Sequence, residues 1–146
     1  MFRAIPALLA LIALAGADTP KTAQQSIAGG WRVVACELES KLLPETAFKD
    51  LLYSLGADGK WKLEGGPGFP KAGGGVYELD PKATPHTIDL TPADGPFKGK
   101  TFRGIYQLEG DELKACFAFP GKDRPKTYLT QADSGLVLEF WRRGKR

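Results

Sequence analysis

Residues 104–125, GIYQLEGDELKACFAFPGKDRP, constrain the fold of this chain more than any other stretch. They read as two antiparallel strands joined at Gly110-Asp111, a Gly-first pair suited to a two-residue hairpin turn. That turn sets Leu108 opposite Leu113, Tyr106 opposite Ala115, Gly104 opposite Phe117 and Phe102 opposite Phe119, so one face is apolar or small throughout. Arg103, Gln107, Glu109, Glu112 and Lys114 occupy the other face, with Ile105 and Cys116 as the exceptions. A slip of one residue would turn four charges into the core, which pins the register. The expected product is a half-buried antiparallel sheet.

The N-terminus points to export. Met1-Phe2-Arg3 is a short positive segment, residues 4–14 are apolar, and Ala15-Gly16-Ala17 has the small residues of a cleavage site. The apolar run is shorter than the roughly 20 residues that span a bilayer comfortably. Residues 1–17 are therefore expected to be a signal peptide, with Asp18 opening a soluble mature chain, periplasmic or extracellular, that has no membrane span. Their removal from the 146 residues leaves 129, enough for one domain with a modest core. The loss of Arg3 leaves a formal charge of +2, too weak and too scattered to indicate nucleic acid. Arg142, Arg143, Lys145 and Arg146 form the one basic cluster, read as a solvated tail. Cys36 and Cys116 both fall on outward positions of their strands, and two free thiols are expected over a bridge.

Residues 18–28 read as a linker, and Gly29-Gly30-Trp31 opens a strand with Trp31, Val33 and Ala35 on one face. Pro44 and Glu45 suit the start of a short helix over residues 43–50. Asp58-Gly59 marks a hairpin between LLYSL and KWKLE, placing Trp61 and Leu63 on the face of Leu52 and Ser54. Residues 65–75, GGPGFPKAGGG, lack the order of a phosphate loop and read as a barrel-rim loop. Further short strands follow at 76–79 and 87–91, where Ile88 and Leu90 point one way. A short extended piece is expected at 127–130. The last strand is LVLEFWRR, read with Leu136, Leu138, Phe140 and Arg142 inward. About eight short one-sided strands with one short helix predict an all-β, antiparallel, closed barrel over 29–143, followed by a basic tail at 144–146.

Gly29-Gly30-Trp31 on the first strand and a basic residue on the last resemble the signature of lipocalins, in which an arginine packs over the tryptophan. DPKATPHTIDLT, the GIYQLEGDELKAC hairpin and Arg124-Pro125 are similar to a lipocalin-like small-barrel domain family of unknown function, abundant in planctomycete bacteria. The resemblance spans about Gly29 to Arg143. It implies a lipocalin-like barrel, exported or attached to larger proteins, with no established activity. It also implies structural roles for Trp31 and Arg142, which would stack by cation–π contact, and for Arg124 and Pro125 as a hydrogen-bonded loop lock. His86 and Cys36 depart from the family pattern and carry no role over.

Catalysis has weak support. His86 is the only histidine, and no serine stands in a nucleophile-elbow context. Asp89 and Asp94 are explained by a strand and a turn, and Cys116 has no basic neighbour in sequence to activate it. No catalytic residue, metal ligand or cofactor is assigned. The inward aromatic residues instead suggest the wall of an apolar pocket. The leading expectation is a small hydrophobic ligand held by Trp61, Phe102, Tyr106 and Phe117. The alternative is a filled barrel that contacts an envelope protein through its outer rim, near Gly65–Gly75 and Lys122–Arg124.

Overall fold

The computed structural model describes residues 21–65 and 73–144. Nine antiparallel strands form one sheet: β1 (Gly29–Leu38), β2 (Lys41–Leu42), β3 (Leu52–Leu55), β4 (Lys60–Glu64), β5 (Gly73–Asp80), β6 (Thr87–Pro92), β7 (Phe102–Glu109), β8 (Glu112–Ala118) and β9 (Leu136–Arg143). Strand β1 pairs with β3 through its first half and with β9 along its length, so eight strands close a barrel. Strand β2 is an extra two-residue strand folded back on the end of β1. Closure gives every barrel strand two neighbours and leaves one side of each facing a common core.

The β7–β8 hairpin has the register its sequence demands, with Leu108 opposite Leu113, Tyr106 opposite Ala115 and Gly104 opposite Phe117. The β3–β4 hairpin differs from expectation. Gly56 N donates to Lys60 O, so the loop has three residues rather than two. A turn closed by Gly59 N to Gly56 O precedes Gly59 itself at φ 86°, the left-handed position such loops need. The extra residue moves the register by one, setting Tyr53 opposite Leu63 and Leu55 opposite Trp61. Tyr53 and Leu55, not Leu52 and Ser54, therefore enter the core.

The last strand is turned over in the same sense. Trp141 and Glu139 are buried in the barrel, while Phe140 is exposed and Leu138 packs outside. The reading of Leu136, Leu138, Phe140 and Arg142 as inward is overturned. The cause lies beyond the strand, because Leu136 and Leu138 are apolar on a face that is not solvent. The loop between β8 and β9 covers them, and Ile105, Cys116, Leu138, Leu136 and Tyr128 make a second, outer apolar cluster. A strand apolar on both faces has no alternation to declare its register. A bulge in β1 between Val33 and Ala35 completes the change. It extrudes Val34, brings Cys36 inward opposite Glu139 and leaves Ala35 opposite Phe140.

The short helix expected over residues 43–50 is a single 3-10 turn, Glu45–Ala47, with Pro44 as its cap. The α-helix of the described residues, α1 (Ala23–Ile27), lies instead where the sequence reads as linker. Thr22 and Gln25 form a reciprocal capping box at its start. Its Ile27 is fully buried, and Ile27 O accepts from Trp31 Nε1 at 2.8 Å. The helix thus packs onto the barrel beside the first tryptophan. Residues 127–130 run within the β8–β9 loop without joining the sheet.

Candidate functional site

The barrel interior is occupied by its own rings. Tyr53 stacks on Trp141 at 4.3 Å between centroids, Trp61 lies 6.4 Å from Tyr53, and Phe117 lies 6.5 Å from Trp141. Trp31 joins at 6.4 Å from Trp141. Of the four residues expected to grip a ligand, Trp61, Tyr106 and Phe117 are inside and buried, at 8%, 5% and 3% exposure. Trp61 packs on Tyr53 and Phe117 on Trp141, so the Tyr53–Trp141 stack is shared between them. Phe102 belongs to the rim, packed edge-on against Phe97 at 5.2 Å and Phe119 at 5.9 Å. Tyr53 and Trp141 escape the sequence reading as interior residues because the registers of β3 and β9 each differ by one residue from the one the sequence suggests.

Among the described residues Glu139 is the one carboxylate drawn into this interior. It is 7% exposed and accepts from Trp141 Nε1 at 2.7 Å and from the Tyr53 hydroxyl. Burial pushes its carboxyl above the usual carboxylate range, and the two hydrogen bonds pull only partly the other way. No ion pair among the described residues reaches it. Across the β1–β9 pair stands Cys36, whose thiol is pushed up to about 12 by burial, then by Glu139 and Glu37. Cys116 lies on the other side of the sheet in the outer cluster, pushed up to about 11 by burial and by the same two acids. Both cysteines are free, and neither environment favours a thiolate nucleophile. The outward position expected for Cys36 is reversed by the bulge at Val34.

Arg143 lies over Trp31, 4.3 Å from the ring centroid, in the place assigned to Arg142. Arg142 points outward and pairs with Glu112 at 3.1 Å. Arg124 donates to both oxygens of Asp89, at 2.6 and 3.2 Å, and to Gly104 O at 2.9 Å. With Pro125 buried beside it, Arg124 holds the β8–β9 loop down near the β6–β7 pair. Thr130 holds the other end of that loop by donating to Glu37 and accepting from Ser40 N. His86 is exposed, with Nδ1 3.1 Å from Ala83 O and its ring 5.5 Å from Tyr106. No cluster of three or more metal-binding side chains occurs among the described residues.

The outer surface offers a different kind of site. A groove of about 410 Å³ runs over β1, β9, β8 and β7, lined on its floor by Val34, Ala35 and Phe140. Val34 and Phe140 are 43% and 39% exposed, and Gln107, Glu109, Glu112, Lys114 and Arg142 surround them. The rim expected to bind a partner is placed less favourably. Residues 66–72 of the glycine-rich loop lie outside the described residues, Lys122 packs against Gly135, and Arg124 is committed to its clamp. No protein-family model and no curated protein matches this chain.

Proposed function

We propose that this is an exported, filled β-barrel that acts through its outer surface, as a protein-interaction module of the cell envelope rather than a carrier of an internal ligand. The interior stack of Trp61, Tyr53, Trp141 and Phe117 carries this reading, because it occupies the space a carried molecule would need. Such a stack is a packed core, in which displaced rings would forfeit their mutual contacts. The apolar floor at Val34 and Phe140 supports an external working face. Residues 1–17 support export.

Native mass spectrometry on protein purified from an exporting host tests the export and the filled interior together. The expected result is a mass lacking the first 17 residues, no added mass that disappears on denaturation, and no uptake from a panel of fatty acids, retinoids and sterols. A retained apolar molecule would return the function to the barrel interior, to Trp61, Tyr106 and Phe117.

A further inference from the structure

A charge row that is its own complement crosses the outer face, with Arg142, Glu112 and Glu109 lining the groove and the stem of Arg32 lying over Gly144 at one end. Arg32, Arg142, Glu112 and Glu109 are cross-strand neighbours in that order, one each on β1, β9, β8 and β7. All four are exposed. Two positive charges are thus followed by two negative ones across four adjacent strands. The next row on the same face is Ala35, Phe140, Lys114 and Gln107, with the extruded Val34 beside it.

A twofold axis lying between β9 and β8, parallel to the strands, turns this surface over side to side, so that β9 faces β8 of the partner at the same height. Arg142 then meets Glu112 of the partner subunit at the centre, with Arg32 and Glu109 flanking the pair on the strands that curve away to either side. Phe140 comes over the alkyl stem of Lys114 of the partner subunit, a contact in which the stem covers apolar surface while the ammonium stays wet. Isologous contacts require this kind of self-complementarity, in which the same patch serves both sides. The Arg142–Glu112 pair within one chain is no obstacle. Its side chains are 61% and 65% exposed, and pairs so open hold together weakly and re-pair readily.

We propose that the partner for this face is a second copy of the chain, docked as a twofold dimer through Val34 and Phe140 and registered by the Arg32–Arg142–Glu112–Glu109 row. This rests on the reading that the outer surface is the working surface.

Sedimentation equilibrium of the mature chain, from micromolar to millimolar concentration, tests it. The expected result is a monomer–dimer equilibrium that weakens with added salt, as charge registration requires. Arg142→Glu and Glu112→Arg should each weaken dimerisation at least about tenfold, and the double swap should restore it to within about threefold. Lys126→Glu, an exposed charge change outside the row, should leave the equilibrium unchanged. Circular dichroism and a cooperative melt confirm that each variant is folded. A monomer at every concentration, or a dimer indifferent to all the row variants, would overturn the proposal. Such a monomer that also takes up no apolar ligand leaves the outer-surface reading in place with a different protein as partner; one that takes up a ligand loses both.

Discussion

The guanidinium of Arg143 lies 4.3 Å from the Trp31 ring centroid and also donates to Ala28 O at 2.8 Å and Ser26 O at 3.0 Å. One side chain on the last strand thus ties the first strand's tryptophan to the helix that precedes it. Arg143→Ala should destabilise the protein by about 1–3 kcal/mol, from the lost cation–π contact and charge-assisted hydrogen bonds. Arg142→Ala, measured on protein dilute enough to be monomeric, removes only an exposed pair and should stay within about 0.5 kcal/mol. Paired urea titrations followed by tryptophan fluorescence decide it; equal losses would show that Arg143 has no special place.

Glu139 should make the barrel less stable as pH rises. Its folded-state pKa is raised, so the native state holds a proton that the unfolded chain releases from about 4.5 upward. The contribution is therefore complete below that value and is lost as pH climbs toward the folded-state pKa. Glu139→Gln keeps a hydrogen-bonding group without the charge, and should flatten this part of the stability profile. Glu139→Ala should cost about 1–3 kcal/mol, because it leaves Trp141 Nε1 and the Tyr53 hydroxyl buried without their acceptor. Chemical denaturation at pH steps from 4 to 8 gives the comparison, and a glutamine variant with the wild-type slope would assign the dependence elsewhere.

The two thiols should be silent in the folded protein. They face opposite sides of one sheet, both are buried, and burial raises both thiol pKa values. An aromatic disulfide reagent at pH 8 should label neither cysteine until denaturant is added, and then both. Reducing agent should leave the melting temperature unchanged. Rapid labelling of Cys36 in the native state would mean that the β1 bulge opens.

Gly104 should not accept a side chain. A Cβ there would come within 2.6 Å of the Phe117 ring and 2.8 Å of Cys116 O. The hairpin packs through this contact, so Gly104→Ala should cost about 1–3 kcal/mol by overpacking. A thermal melt within experimental error of the wild type would show that Phe117 has room to move.

Arg124 should govern the β8–β9 loop rather than the barrel. Arg124→Met keeps the stem and removes three hydrogen bonds, exposing the outer cluster of Ile105, Cys116 and Leu138 when the loop lifts. The expected signature is faster proteolysis within residues 120–135 and earlier labelling of Cys116 than of Cys36. Cleavage at the wild-type rate would leave Thr130 as the anchor that matters.

The sequence alone determined the class of fold and one of its hairpins. In residues 102–119 the alternation, the turn chemistry and the charges agree on a single register, and β7–β8 adopts it. Strand count and spacing carried the closed barrel, because each segment is short and bounded by turn residues. Tertiary structure decided which face of β3 and β9 turns inward. On β3 one more loop residue at Gly59 reversed it, a local choice between two hairpin geometries that both suit Asp-Gly. On β9 the preceding β8–β9 loop folds back over Leu136 and Leu138, so that apolar residues on both faces conceal the period. Those two reversals bring Tyr53, Glu139 and Trp141 into the core, and with the bulge at Val34 they place Phe140 on the outer surface. Residues on different strands meet only through the register of neighbours, and that register is a property of the closed sheet.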